Sequence, residues 1–313
     1  MLRFLARRVG EAIVLVMGVT ILTFALMNAI SGTVARQIVG QTAPQSAVDA
    51  KAAELGLNQP LPLRYGEWFA GAVHGDFGAS WYSGEPVTNL LGSNVPITLS
   101  LVICSIVLSA VLSVIIGVAA AVRGGWVDRV LQVLAVTGFS FPSFVLGLLL
   151  ALVFAVQLGW LPAVGYTPIT EDPGLWFASI TLPTIALAVQ VIASTSQQVR
   201  GSMVDVLQSD FVRTLRSRGI APRSLYLLHG LRSAAPPALT VLGLQTIGLI
   251  GGTVVVEKVF GLQGLGTAIV TGATQGDVPI VMGVVTIMVL IIVVINLLID
   301  LAYAWLNPKV RAQ

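Results

Sequence analysis

Residues 97–122 read ITLSLVICSIVLSAVLSVIIGVAAAV, a run with no charged side chain. An α-helix rises about 1.5 Å per residue, so about 20 such residues cross the roughly 30 Å hydrocarbon core of a bilayer. Comparable runs recur near 9–30, 129–158, 178–199, 235–256 and 280–304, and six membrane-spanning helices are expected. Composition agrees with this reading. The 313 residues are 56% hydrophobic and only 10% charged, with a mean hydropathy of +0.91, too little charge to cover a water-soluble globule. The fold class is therefore all-α and polytopic in a membrane.

Three segments follow from the spacing of these runs: residues 1–30 with the first span, a loop of 31–96, and a core of 97–313 that contains one long polar loop at 200–234. Pro142 interrupts the third run, which reads as a kinked helix because neighbouring groups in a bundle can satisfy a freed carbonyl. Orientation follows from Lys and Arg, which are enriched in cytoplasmic segments. With both termini inside, 13 of the 17 basic residues fall on the inner side, among them Arg3, Arg7, Arg8, Arg123, Arg129, Arg200, Lys309 and Arg311. Arg36, Lys51, Arg64 and Lys258 fall outside, together with nine acidic residues that include Glu257 and Asp277. The first apolar run exceeds the roughly 7–15 residues of a cleaved signal peptide and reads as a retained helix. Cys104, the sole cysteine, lies within an apolar run, so no internal disulfide can form.

The loop of 31–96 carries structural signals of its own and reads as a small folded cap on the outer side. Ser46 can cap a short helix with Asp49 in its first turn, Gly56 can end it, and Pro62 and Pro86 suit the first turns of two more. Tyr65, Trp68, Phe69, Trp81 and Tyr82 fit an interfacial aromatic belt. Two readings of the cap stay open, a lid packed on the bilayer surface and a gate or docking surface for an external partner.

Catalytic chemistry is hard to assemble here. The chain has two histidines, His74 and His229, which leaves no metalloprotease pair, and no metal site is expected. Lys51, Lys258 and Lys309 are followed by Ala, Val and Val, so no phosphate-binding Gly-Lys-Ser/Thr loop exists. The basic residues flank spans rather than lining one polar face, which argues against nucleic acid.

Asp210-Phe-Val-Arg-Thr-Leu-Arg-Ser-Arg-Gly219 stands out within the loop of 200–234. On a helix of 100° per residue, Phe211, Val212 and Leu215 fall within one 100° arc, Arg216 and Arg218 flank it, and Arg213 lies opposite. Ser209 or Asp210 can cap the start, and Gly219 can take the left-handed conformation that ends a helix. A second short helix should start at Pro222, before Pro236-Pro237 opens the fifth span. Such a basic amphipathic helix suits lipid phosphates or a protein groove, and charge alone does not separate the two.

The same segment, followed nine residues later by His229-Gly-Leu-Arg232, resembles the coupling loop of membrane permeases of ATP-binding-cassette importers, in the oligopeptide/dipeptide/nickel branch. The superfamily signature there is Glu-Ala-Ala with Gly four residues on; this chain has Arg213, Thr214 and Leu215, with Gly219 in register, where the branch usually reads Arg-Thr-Ala. Further stretches resemble that branch: Gly75-Asp-Phe-Gly78, Ser140-Phe-Pro-Ser-Phe144, Leu158-Gly-Trp-Leu-Pro162, Gly251 to Phe260 leading to Gly264-Leu-Gly266, and Leu306-Asn-Pro-Lys-Val-Arg311, where Asn307 replaces the usual Asp. The resemblance implies a non-catalytic subunit in a bacterial or archaeal plasma membrane. Its partners would be a second homologous permease, two cytoplasmic ATPases that hold ATP and Mg, and an external solute-binding protein, with peptide as the cargo. Asp210, Phe211, Val212, Arg213, Thr214, Leu215, Arg216, Arg218, Gly219, His229 and Arg232 would then couple to an ATPase, the apolar three supplying buried contact.

Polar groups facing lipid are costly, so the pathway should be lined by the few polar residues within spans. These are Ser140 and Ser143 beside Pro142, Gln190 and Ser194, Gln245, and Asn296. Each is equally suited to hydrogen bonding between helices. Glu257 and Asp277 can pair with Lys258 or a partner permease. A secondary transporter without an ATPase, or a purely structural membrane subunit, remains as the alternative.

Overall fold

The computed structural model describes residues 2–30 and 34–306, so the terminal stretch Asn307 to Arg311 and the side chain of Arg3 lie outside the described residues. The helices are α1 (Leu2–Ile30), α2 (Val34–Val39), α3 (Gln45–Glu54), α4 (Leu61–Val73), α5 (Val87–Arg123), α6 (Gly125–Ser140), α7 (Ser143–Leu150, continued by a π-helical stretch Ala151–Gln157), α8 (Pro173–Gln208), α9 (Asp210–Ser217), α10 (Pro222–Ser224, continued by a π-helical stretch Leu225–Gly230), α11 (Leu231–Val259), α12 (Leu265–Gln275) and α13 (Val278–Leu306). Among the described residues the only β pairing is one antiparallel bridge, Ala79 with Pro86. Five stretches are long and apolar enough to cross a membrane: Arg7–Ala29, Val87–Arg123, Pro173–Gln208, Pro222–Val259 and Val278–Trp305. The pair α6 and α7 makes a sixth if it is one span broken by a 99° bend. The chain forms two compact units, one of residues up to 98 with 263–293, the other of 99–262 with 294 onward.

In the second unit, α5 and α8 meet along a row of small residues. Ser105, Ser109 and Ser113, spaced four apart, donate to the carbonyls of Thr184, Ala188 and Ile192 at 3.3, 3.4 and 3.3 Å. The offset of 79 residues is the same at each rung, so the two helices run parallel without drifting out of step. Gly117 takes the next rung: a Cβ added there would lie 2.6 Å from Val199 Cβ and 2.7 Å from the Ser196 carbonyl oxygen. Small residues and interhelical hydrogen bonds are what hold helices together in lipid, where apolar burial gives little advantage. On another side of α8, Arg200 forms a salt bridge with Asp128 of α6. Val199 and Met203 of α8 pack on Ala234 and Ala238 of α11.

The break at Pro142 is sharper than the expected kink. A proline disfavours the helical region for its predecessor, and Phe141 is extended at φ −86°, ψ 123°. Gln190 of α8 donates its side-chain amide to the Phe141 carbonyl at 2.8 Å, which meets an acceptor that the bend leaves open. A second expectation is corrected at Pro236 and Pro237. These do not open the fifth span; they lie inside a helical run that begins at Pro222 and continues to Val259. Their missing amides free the carbonyls of Arg232 and Ser233, both exposed residues, where other donors can reach.

The cap region belongs to the first unit and departs from expectation at both ends. Ser46 is not a cap, because α3 starts one residue earlier behind Pro44, although Gly56 does end the segment at φ +68°. Pro62 sits in the first turn of α4 as expected, whereas Pro86 precedes the long α5 rather than a separate cap helix. Asp277, fully buried at the start of α13, is engaged within its own unit rather than by Lys258: it accepts from Ser80 Oγ at 2.6 Å and the Trp81 amide at 3.2 Å. The turn after Gly75-Asp-Phe-Gly78 is thereby tied to α13, and Tyr82 adds a bond of 2.6 Å from its hydroxyl to the Gln275 carbonyl.

The α5–α8 contact leads to a paired expectation. Gly117→Ala should lower the thermal midpoint of the detergent-solubilised protein by the equivalent of about 1–3 kcal/mol, since a methyl must be forced into a filled contact. Gly201→Ala, on α8 with nothing within 4 Å of the added carbon, should leave it unchanged or raise it.

Candidate functional site

The segment singled out by its arginines is α9, eight residues between two bends. Its start is capped by backbone geometry alone. Ser209 adopts the extended conformation of a cap residue, but its hydroxyl turns back to the Val206 carbonyl at 2.6 Å and makes no capping bond. Asp210 is the first helical residue, where a negative charge suits the helix dipole, and its carboxylate meets Arg213 at 3.2 Å. The end is a Schellman turn. Gly219 is left-handed at φ +75°, its amide bonds the Arg216 carbonyl at 3.0 Å, and the Ile220 amide reaches back to Leu215 at 3.3 Å. The helix is therefore closed at both ends and cannot extend into either neighbour.

The three apolar residues do not share one fate. Val212 is fully buried and anchors α9 to its own chain, so it offers no surface to another protein. Phe211 is 51% exposed and Leu215 partly so. Arg213, Arg216 and Arg218 are all exposed, and Thr214 spends its hydroxyl on the Asp210 carbonyl at 2.9 Å. What projects is an aromatic ring and a leucine among three guanidinium groups.

The two halves of the motif meet in space. The Phe211 ring stands edge-on to His229, with centroids 6.4 Å apart. His229 lies in the π-helical stretch Leu225–Gly230, whose wider turn has Leu225 and Gly230 buried and Leu227 and Leu228 about 60% exposed. Gly230 is closely packed there: an added Cβ would stand 3.1 Å from the Leu225 carbonyl and 3.3 Å from the Met203 methyl. Arg232 follows on the exposed side of α11. α9 thus contacts both the end of α8 and the start of the run into α11.

Most of the polar residues within spans are engaged inside the chain, either with backbone carbonyls or with one another. Gln190 holds the Phe141 carbonyl, and Gln245 of α11 donates to Ser194 of α8 at 2.6 Å. Ser143, just after Pro142, faces Gly252 of α11, and Asn296 of α13 approaches α11 at Gly243. Ser140 bonds the Val136 carbonyl of its own helix at 2.9 Å. Four of the six, Ser143, Gln190, Ser194 and Gln245, lie on the contacts of α7, α8 and α11, while Ser140 and Asn296 stand apart. The α5–α8 serine row escaped the sequence reading, although its four-residue spacing of small residues is visible in the sequence. Among the described residues, no three His, Cys, Asp or Glu side chains are grouped to hold a metal ion.

Five apolar spans, or six with the bent α6–α7 pair, and an amphipathic helix between two of them describe a polytopic membrane protein. Residues 113–312 match the family described as binding-protein-dependent transport system inner membrane component, and residues 1–102 match the N-terminal region model of such membrane components. The chain belongs to this family of ATP-binding-cassette importer permeases. Similar proteins include the "Probable peptide ABC transporter permease protein y4tP" of Sinorhizobium fredii, 39% identical over 98% of this chain and 99% of the relative. The glutathione transport system permease proteins GsiC of Pectobacterium atrosepticum and Salmonella typhi are each 38% identical, over 99% of both chains.

The unequal burial of Val212 and Phe211 sets a measurable contrast. Val212→Ala should weaken the seating of α9 by about 1–2 kcal/mol, seen as faster amide hydrogen exchange across Asp210–Ser217. Phe211→Ala should leave that exchange near the wild-type rate in the isolated chain.

Proposed function

We propose that this chain forms half of the translocation pathway of a peptide importer and takes its driving motion from a separate cytoplasmic ATPase through residues 209–232. The observation that carries the proposal is the form of α9: a short helix closed at both ends, seated by Val212, projecting Phe211 and Leu215 among Arg213, Arg216 and Arg218. An ATPase groove that accepts the ring and leucine, with acidic residues meeting the arginines, fits this surface. Because α9 touches both α8 and the run into α11, displacing it would act on two spans together. The orientation follows the excess of basic residues on one side, with both termini, α9 and the loop of 200–234 in the cytoplasm and the cap of 31–96 outside. A second homologous permease, two ATPases that bind ATP and Mg, and a solute-binding protein complete the assembly. Peptide is the cargo favoured by the names of the relatives, among which both peptide and glutathione permeases occur.

Purification of the tagged chain from its native membrane, with its partners identified, tests this directly. The wild type should bring down two ATPases and a second permease. A Phe211→Ala/Leu215→Ala variant should retain the ATPase about 30-fold less well, the loss expected when an interface anchor worth about 2 kcal/mol is removed. Recovery of the wild-type chain alone or as a homo-oligomer, with detergent loss controlled, would overturn the proposal and return α9 to the role of a lipid-facing helix.

A further inference from the structure

α5 ends at Arg123, and in the second unit a groove of about 370 Å³ leads up to that end. One wall is a face of α5, with Val114, Val118 and Val122 at four-residue spacing; the other holds Tyr226 and Leu227 of the π-helical stretch. Two guanidinium groups stand at its head, Arg123 from the last residue of α5 and Arg223 from the second residue of the run Pro222–Val259. From Val114 to Arg123 the face follows nine residues of helix, about 14 Å. That is close to one leaflet's share of a hydrocarbon core roughly 30 Å thick. Both walls carry charge at the helix end and hydrocarbon deeper in the span. Trp126, 76% exposed and just beyond Arg123, fits the bilayer–water boundary at this level.

The head of the groove is basic and not neutralised. No carboxylate lines it, and among the described residues the side chains of Arg123, Arg223 and Tyr226 have no ion pair or hydrogen bond. Arg200, at the neighbouring end of α8, is by contrast held by Asp128. Two positive charges with no acid between them favour a ligand of net negative charge over one that brings its own ammonium. The deeper part of the groove selects the ligand's shape. An α-helix with its side chains is about 10–12 Å across and would take up roughly 1,000 Å³ or more over this length, so it would rest on the rim of a 370 Å³ groove rather than fill it. A single hydrocarbon chain is narrow enough to enter. A water-soluble partner that met the arginines would leave this part empty.

We infer that this groove binds one anionic phospholipid from the leaflet on the α9 side, with an acyl chain along Val114, Val118 and Val122 and the phosphate between Arg123, Arg223 and the Tyr226 hydroxyl. Chain and headgroup lie in one leaflet, because the apolar face and the arginines belong to the same end of α5. The phosphate would tie the first turn of α10 to α5 and so brace the π-helical stretch against which α9 rests.

Native mass spectrometry of the intact transporter released from nanodiscs of equal phosphatidylglycerol and phosphatidylethanolamine tests the site. The wild type should retain phosphatidylglycerol in preference to phosphatidylethanolamine. Arg123→Gln/Arg223→Gln should lower that retention about tenfold, whereas Arg129→Gln, at an exposed arginine outside the groove, should leave it unchanged. Ala119→Trp, which fills the groove and keeps both arginines, should lower it as well, an effect that loose attraction of anions to a basic rim would not give. Equal retention of the two lipids by the wild type, or wild-type retention by either groove variant, would overturn the inference. So would a photo-crosslinker at Ile115 that captures a protein chain in place of lipid. Subunit masses appear in the same spectra, so loss of an ATPase from the arginine variant with the lipid kept would refute this site and leave the coupling proposal standing.

Discussion

Everything in the second unit depends on how closely α5 can approach α8. In a bilayer, leucine packed on leucine is scarcely better than leucine packed on lipid, so the cohesion of helices rests on backbone proximity and hydrogen bonds. Ser105, Ser109, Ser113 and Gly117 give that proximity at four successive turns. With α5 fixed on one side, the rest of α8 is free to meet α6 through Arg200 and Asp128, α7 through the Gln190 bond, and α11 through Ser194 and Gln245. α8 is the frame on which the unit is assembled, and only Ser209 separates its end from the start of α9.

That adjacency gives α9 its leverage in the proposed mechanism. A helix of eight residues has little stability of its own, and isolated helices shorter than about 12 residues are marginal in water. α9 is kept in place by Val212 and by its contact with the π-helical stretch that leads into α11. The wide turn of that stretch, followed by Pro236 and Pro237, gives the entry to α11 fewer regular backbone bonds than an ordinary helix has. A push on Phe211 would thus meet a stiff helix on one side and a yielding one on the other.

The long apolar runs made the class and most spans legible in the sequence, because span length is set by the bilayer and little else. Gly219 and Pro222 were legible for a similar reason: each acts through its own backbone restriction, whatever surrounds it. Where several residues compete, local rules failed. Ser46 and Pro86 carried the right chemistry one step away from the helix starts that packing selected. Pro236 and Pro237 suggested the start of a span, yet the helix is already running when it reaches them. In α9, periodicity gave the apolar arc but not the direction from which the chain's own body covers it, so Val212 looked equivalent to Phe211. The partners of Asp277 and Arg200 lie 197 and 72 residues away, and no local pattern announces such pairs.

The proposed coupling requires α9, in contact with α8, to carry the end of α8 with it when an ATPase displaces it. Spin labels at Arg213 and Gln197, both exposed, in a background with Cys104 replaced, would measure the distance between them by pulsed electron resonance in the assembled transporter, with and without a non-hydrolysable ATP analogue. An unchanged α8–α9 distance, alongside a changed distance from α9 to a label on the far side of the transporter, is the expected result. A change of about 5 Å or more between α8 and α9, a full helical turn, would contradict the claim and show that α9 swings free of its own chain.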